Sequence, residues 1–181
     1  KNKLENCYIL LGTDEELIKE QIQQIIDKAL DPSLVDLNLI KFDGMKFSGE
    51  AFRDSCETLP FLSDKKVILV YRANFLKDIN DNDSKKAFEA CKEYIENTPS
   101  HCILIFYYIL DDKREKISNR AKKLEKYSEI IKADRLKGER LYKKIEERFK
   151  VQGKDIGKIE LKYFCEKVEN NTHIIYSEID K

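Results

Sequence analysis

Nine consecutive residues, Cys102-Ile-Leu-Ile-Phe-Tyr-Tyr-Ile-Leu110, carry no charge and no turn-forming residue. The run is too short to cross a bilayer as a helix and has the length of a strand. A strand that is apolar on both faces needs cover on both sides, as in a sheet sandwiched between helices. This one segment therefore directs the chain toward an α/β architecture.

Matching pieces lie on either side of it. Cys7-Tyr-Ile-Leu-Leu11 is a second short apolar run, ended by Gly12. A helix to about Leu30 is expected after it, capped by Thr13 or Asp14, striped by Ile18, Ile22, Ile25 and Ala29, and stopped at Asp31-Pro32. Leu37 to Phe42 alternates apolar and polar residues and ends at Asp43-Gly44, a strand and turn. Phe52, Cys56 and Leu59 mark one face of the next helix, and Val67 to Tyr71 reads as a third strand. Asp78 to Ser84 reads as a mobile polar loop before a helix bearing Phe88, Cys91 and Ile95. Beyond the Cys102 strand, Asp111-Asp112 should cap a helix carrying Ile117, Ala121 and Leu124. Glu129 to Lys132 gives a fifth strand. Five strands alternating with helices imply a parallel sheet.

From about Leu136 the rhythm becomes helical only. Leu141, Ile145 and Phe149 mark one helix, and Leu161, Phe164, Cys165 and Val168 a second. Asn170-Asn171-Thr172 starts a third that runs to Lys181. The expected organisation is an α/β domain over residues 1–135 and a small helical unit over 136–181. The abrupt end in a helix reads as a piece of a longer protein.

Composition narrows the function classes. No leading signal segment and no membrane-spanning run is visible, so a cytoplasmic protein is expected. Cys7, Cys56, Cys91, Cys102 and Cys165 form no CxxC pair and read as packed, reduced thiols. With His101 and His173 isolated, no metal site is expected. Overall charge is balanced, but residues 111–154 hold 16 basic and 9 acidic residues, a net +7. Such a block is either a solvated lysine-rich surface or a face for an acidic partner such as nucleic acid. Lys122, Lys123, Arg140, Lys143 and Lys144 are the candidates for the latter.

The turn after the first strand is where a phosphate-binding loop would sit. That loop needs converging backbone amides, a lysine and a magnesium-binding hydroxyl. Gly12-Thr-Asp-Glu-Glu-Leu-Ile-Lys19 has one glycine, no Gly-Lys-Ser/Thr and three acidic residues, Asp14, Glu15 and Glu16. The third strand leads to Arg72 without a carboxylate pair to hold magnesium. Nucleotide hydrolysis is not expected, nor any bound cofactor. No Ser/His/Asp or Cys/His pattern supports a nucleophilic site, so no catalytic residue is expected. Tyr107 and Tyr108, at the end of the central run, either line a cleft or simply pack.

One turn departs from the usual polar composition. Glu57-Thr-Leu-Pro-Phe-Leu-Ser-Asp-Lys-Lys66 joins a helix to the third strand and places Phe61 and Leu62 where solvent is expected. These side chains either pack down under the strand or are offered to a partner.

Four stretches together resemble the delta subunit of the bacterial DNA polymerase III clamp loader. They are Tyr8 to Ile18, Glu57 to Val70 with Asn74-Phe-Leu76, Cys102 through Arg114, and Gly153 through Asn171. The resemblance implies a P-loop NTPase-like fold of the AAA+ type, a five-stranded parallel sheet flanked by helices, followed by a helical lid. It implies a non-ATPase subunit of a DNA-directed DNA polymerase assembly. That subunit binds the sliding clamp (the beta subunit) and opens it for loading onto primed DNA. Its other implied partners are the delta prime and gamma/tau subunits, with DNA met only within the assembly. The implied clamp-binding residues are Leu59, Phe61 and Leu62. A nucleotide-binding or nucleic-acid-binding P-loop-like domain is the alternative.

Overall fold

The computed structural model describes residues 3–133, 138–154, 156–157, 159–161 and 163. The chain divides into two compact units, Lys1–Ala133 and Asp134–Lys181. The first contains five strands: β1 (Cys7–Gly12), β2 (Leu39–Asp43), β3 (Lys66–Tyr71), β4 (Cys102–Ile109) and β5 (Glu129–Ala133). Their order is β2-β3-β4-β1-β5, and every neighbouring pair is parallel. β1 and β4 lie inside the sheet, which is why their sequences are apolar on both faces: all of β1 is buried, and all of β4 but Ile109. The helices of this unit are α1 (Glu15–Ala29), α2 (Val35–Asn38), α3 (Gly49–Glu57), α4 (Asn82–Glu96) and α5 (Asn119–Lys123).

Helix α1 follows its sequence signals. Asp14 accepts hydrogen bonds from the amides of Glu16 and Leu17, and Ile18, Ile22 and Ile25 are buried. Helix α3 is fixed to the sheet by Phe52, whose ring meets those of Phe42, Phe47, Tyr94 and Phe106 at centroid distances of 5.5 to 6.0 Å. Such tilted aromatic contacts add to the area they bury. They also set the direction in which the chain leaves α3.

Four local expectations need correction. Leu37 and Asn38 do not begin the second strand. They end the short helix α2, where the Asn38 side chain reaches back to the Leu34 carbonyl at 3.2 Å. Leu59 does not extend the buried face of α3, which stops at Glu57 and leaves Leu59 exposed. Asn82 to Ser84 belong to α4 rather than to a loop, because Asp81 caps the helix at the Ser84 amide, 2.7 Å away. Asp78, before it, accepts from the amides of Asn119 and Arg120. Asp111-Asp112 caps no helix: Asp112 turns onto the nearby Arg114 amide, and Ser118 caps α5. Short polar side chains compete for local amides in this way.

In the second unit, α6 spans Gly138–Val151, with Ile145 buried; Leu161 is buried as well. The expected positions Phe164, Cys165 and Val168, and the helix from Asn170, lie outside the described residues. Among the described residues, no helix is long and apolar enough to cross a membrane. Cys7, Cys56, Cys91 and Cys102 are buried and unpaired by disulfides.

Candidate functional site

Two turns at opposite edges of the sheet hold the residues of interest. The β1–α1 turn lies at the carboxyl edge, where ligands collect in open α/β folds. Here the polar groups of the turn are engaged by the protein itself. Gly12 passes so close to β5 that an added Cβ would lie 1.7 Å from the Ala133 carbonyl oxygen. The glycine thus serves strand packing. Asp14 Oδ1 takes the amides of Glu16 (3.0 Å) and Leu17 (3.4 Å), two of the donors that an anion at this helix end would need. Glu15 faces Arg72, with Nε and Nη2 donating to its two carboxylate oxygens at 3.1 and 3.3 Å. The Tyr107 hydroxyl donates to Glu15 Oε2 at 3.3 Å, and Lys19 lies 3.5 Å from Oε1. The Arg72 hydrogen bonds hold the Glu15 carboxyl below the usual glutamate range, and burial pushes the Tyr107 phenol up. Tyr107 therefore lines the groove at this edge, together with Glu15, Lys19 and Tyr71. Tyr108 packs in the core, where its hydroxyl accepts from the Ser118 amide at 3.4 Å.

The α3–β3 turn, at the amino edge, has the reverse arrangement. Its backbone is tied down and its large side chains point outward. Buried Lys66 donates from Nζ to the carbonyls of Ser55 (2.6 Å) and Thr58 (3.1 Å), at the carboxyl end of α3. A cation is favoured there by the helix dipole, while burial draws its pKa below the usual lysine range. His101 Nε2 donates to the Cys56 carbonyl at 2.9 Å, and Cys102 Sγ to the same oxygen at 3.4 Å. The side chain of Asn38, fully buried, bonds both polar groups of the Phe61 backbone. Its Oδ1 accepts from Phe61 N–H at 2.7 Å, and its Nδ2 donates to Phe61 C=O at 2.8 Å. Further along, Ser63 Oγ donates to the Lys65 carbonyl, and Lys65 Nζ donates to the Ser100 carbonyl.

On this fixed backbone Leu59, Phe61 and Leu62 are 73%, 55% and 76% exposed. Leu62 has φ of 52°, a left-handed conformation that L-residues adopt at a cost. All three residues singled out in the sequence thus share one exposed tip. Sequence reasoning missed its supports: Asn38, Lys66 and His101. The signals were weak. Asn38 looked like the polar member of an alternating strand, and its bonds to Phe61 span 23 residues.

The residues of the alternative nucleic-acid face fall in separate units. Lys122 and Lys123 are exposed on α5, and Lys143 and Lys144 lie on α6; the side chain of Arg140 lies outside the described residues.

Comparison with known proteins yields a consistent set. The family model for "DNA polymerase III, delta subunit" matches residues 8–134. The DNA polymerase III subunit delta of Bacillus subtilis is 22% identical over 184 residues, which cover all of this chain and 52% of that protein. The chain thus spans about half the length of this relative. The solved Bacillus subtilis DNA clamp loader delta protein (YqeN) superimposes with a TM-score of 0.70 at 21% identity, over 98% of this chain and 52% of that one. Domain III of the Thermotoga maritima replication initiation protein DnaA has a TM-score of 0.61 at 15% identity, over 98% of this chain and 75% of that one. At these identities the structural matches speak for the fold, a P-loop NTPase-like sheet of the AAA+ type.

Proposed function

Since this chain belongs to the DNA polymerase III delta subunit family, we propose that it is the clamp-gripping part of a clamp-loader subunit. In this reading the Leu59–Leu62 tip enters an apolar pocket on the sliding clamp and helps to open the ring for loading onto primed DNA. The observation that carries the proposal is the exposure of Leu59, Phe61 and Leu62 together on an anchored turn. Clustered apolar exposure of this kind marks interaction sites. Burying a leucine or phenylalanine side chain is worth about 1.5–3 kcal/mol, so two or three such anchors supply useful affinity once a pocket covers them.

The subunit acts without hydrolysing ATP. What supports this is the Asp14 carboxylate on the α1 amides and the pairing of Arg72 with Glu15. Residues 136–181 serve as the helical lid. The remaining partners are the delta prime and gamma/tau subunits, and DNA is met within that assembly. A replication subunit of this kind works in the cytoplasm.

Titration of this chain against its cognate sliding clamp tests the proposal. The expected result is saturable binding that Phe61→Ala weakens at least tenfold, about 1.4 kcal/mol. Unchanged affinity in that variant would remove the tip from the interface. Calorimetry with ATP and magnesium should show no saturable heat, and micromolar binding would reinstate a nucleotide-binding role.

A further inference from the structure

Asn38 has an unusual position for a polar residue. It is fully buried, lies at the end of a four-residue helix, and spends its carboxamide on a turn 23 residues away. One Oδ1···H–N bond at 2.7 Å and one Nδ2–H···O bond at 2.8 Å engage both backbone groups of Phe61, as a neighbouring strand would engage a strand residue. The second Nδ2 proton goes to the Leu34 carbonyl at 3.2 Å. The side chain is therefore fixed by its own helix while it holds the tip. No regular secondary structure is assigned at Phe61, and the Lys66, His101 and Cys102 bonds all end at or before Thr58. Among the described residues, Asn38 is thus the side chain that bonds the backbone of the exposed aromatic residue itself.

We propose that Asn38 is the positioning residue of the clamp-binding tip, holding the Phe61 peptide in its binding orientation before the partner arrives. This rests on the clamp-gripping function proposed above. A tip already ordered loses less conformational freedom on binding. Losing this restraint should therefore weaken affinity by about tenfold, or about 1.4 kcal/mol.

The test combines Asn38→Ala, Phe61→Ala and the double variant of this chain in clamp titrations, with hydrogen exchange of backbone amides in the free chain. Asn38→Ala is expected to weaken clamp binding about tenfold. In the Phe61→Ala background it should change affinity by less than about threefold, because its effect runs through Phe61. In the free chain the Phe61 amide should exchange at least tenfold faster, while amides of β3 such as Leu69 keep their rates. That local signature separates positioning from general loss of stability. If Asn38→Ala does not fold, Asn38→Ser replaces it. The shorter hydroxyl cannot bridge both backbone groups of Phe61 and sets no charge against the Phe61 and Leu34 carbonyl oxygens, so a loss of affinity of similar size is expected. Wild-type affinity in the Asn38 variant alongside weak binding by Phe61→Ala overturns this inference and leaves the clamp proposal standing. Full additivity of the two substitutions, or an unchanged Phe61 exchange rate, overturns it too. Wild-type affinity in Phe61→Ala removes both.

Discussion

The β1–α1 turn and the α3–β3 turn lie at opposite edges of one sheet and use their polar groups in opposite ways. At the first, side chains turn inward: Asp14 caps the helix, and Glu15 is held by Arg72, Tyr107 and Lys19. The place where a fold of this class usually receives a nucleotide is taken up by the protein's own charges. At the second, buried Asn38 and Lys66 satisfy backbone groups, so Leu59, Phe61 and Leu62 are left to face solvent. A closed polar turn favours stability. An anchored apolar turn favours association, at the cost of leaving hydrophobic surface wet.

The comparison predicts that changes at the inward turn act on stability and changes at the outward turn act on binding. The largest effect is expected from Gly12→Ala. The new methyl group would collide with the Ala133 backbone and force β1 away from β5, destabilising the chain by about 3 kcal/mol or more; thermal denaturation measures it, and a small change would mean that the two strands separate readily there. Next comes Phe61→Ala, with at least a tenfold loss of clamp affinity. Its stability should stay within about 0.5 kcal/mol of the parent, because the ring is largely exposed. A large drop in stability would show that the ring packs against the protein after all.

Asp14→Ala removes a helix cap and should cost about 1 kcal/mol of stability without altering clamp affinity. Leu62→Gly should split the two readouts in sign. Relief of the left-handed backbone raises stability by about 0.5–1 kcal/mol, while loss of the side chain weakens clamp binding. Loss of stability in that variant would place Leu62 among the packed residues. The smallest effect concerns pH. Glu15 has a lowered pKa in the folded state, so its contribution is present above the ordinary carboxylate range and is lost as pH falls through the lowered value. Glu15→Gln should therefore flatten the acid limb of stability slightly, by no more than about 2 °C in Tm. An unchanged acid limb would mean that solvent screens the Arg72 pair completely.

Much of the fold was legible because burial writes itself into composition. A strand covered on both faces must be apolar throughout, and β1 and β4 are; a helix on a sheet must carry a stripe, and Ile18, Ile22 and Ile25 do. The departures cluster where side-chain bonds override periodicity. Asn38 broke the expected strand, and Asp81 and Ser118 placed helix starts that the apolar pattern could not fix. At the site, Phe61 and Leu62 were visible because large hydrophobic residues in a turn are conspicuous, whereas Leu59 read as part of the buried face of α3. Whether they packed or protruded was not visible, since either outcome satisfies the same string of residues.

By itself, then, the sequence determined the sheet-forming runs, the lack of a phosphate-binding signature after β1, and two apolar residues, Phe61 and Leu62, in the wrong place for a turn. These are local properties, carried by neighbouring residues in the chain. The tertiary structure decided that Arg72 meets Glu15 across 57 residues, that Asn38 meets Phe61 across 23, and that His101 meets Cys56 across 45. Those pairings exist only after the strands have taken their order and brought distant side chains to the same edge. They are what turns an apolar turn into an exposed and oriented tip.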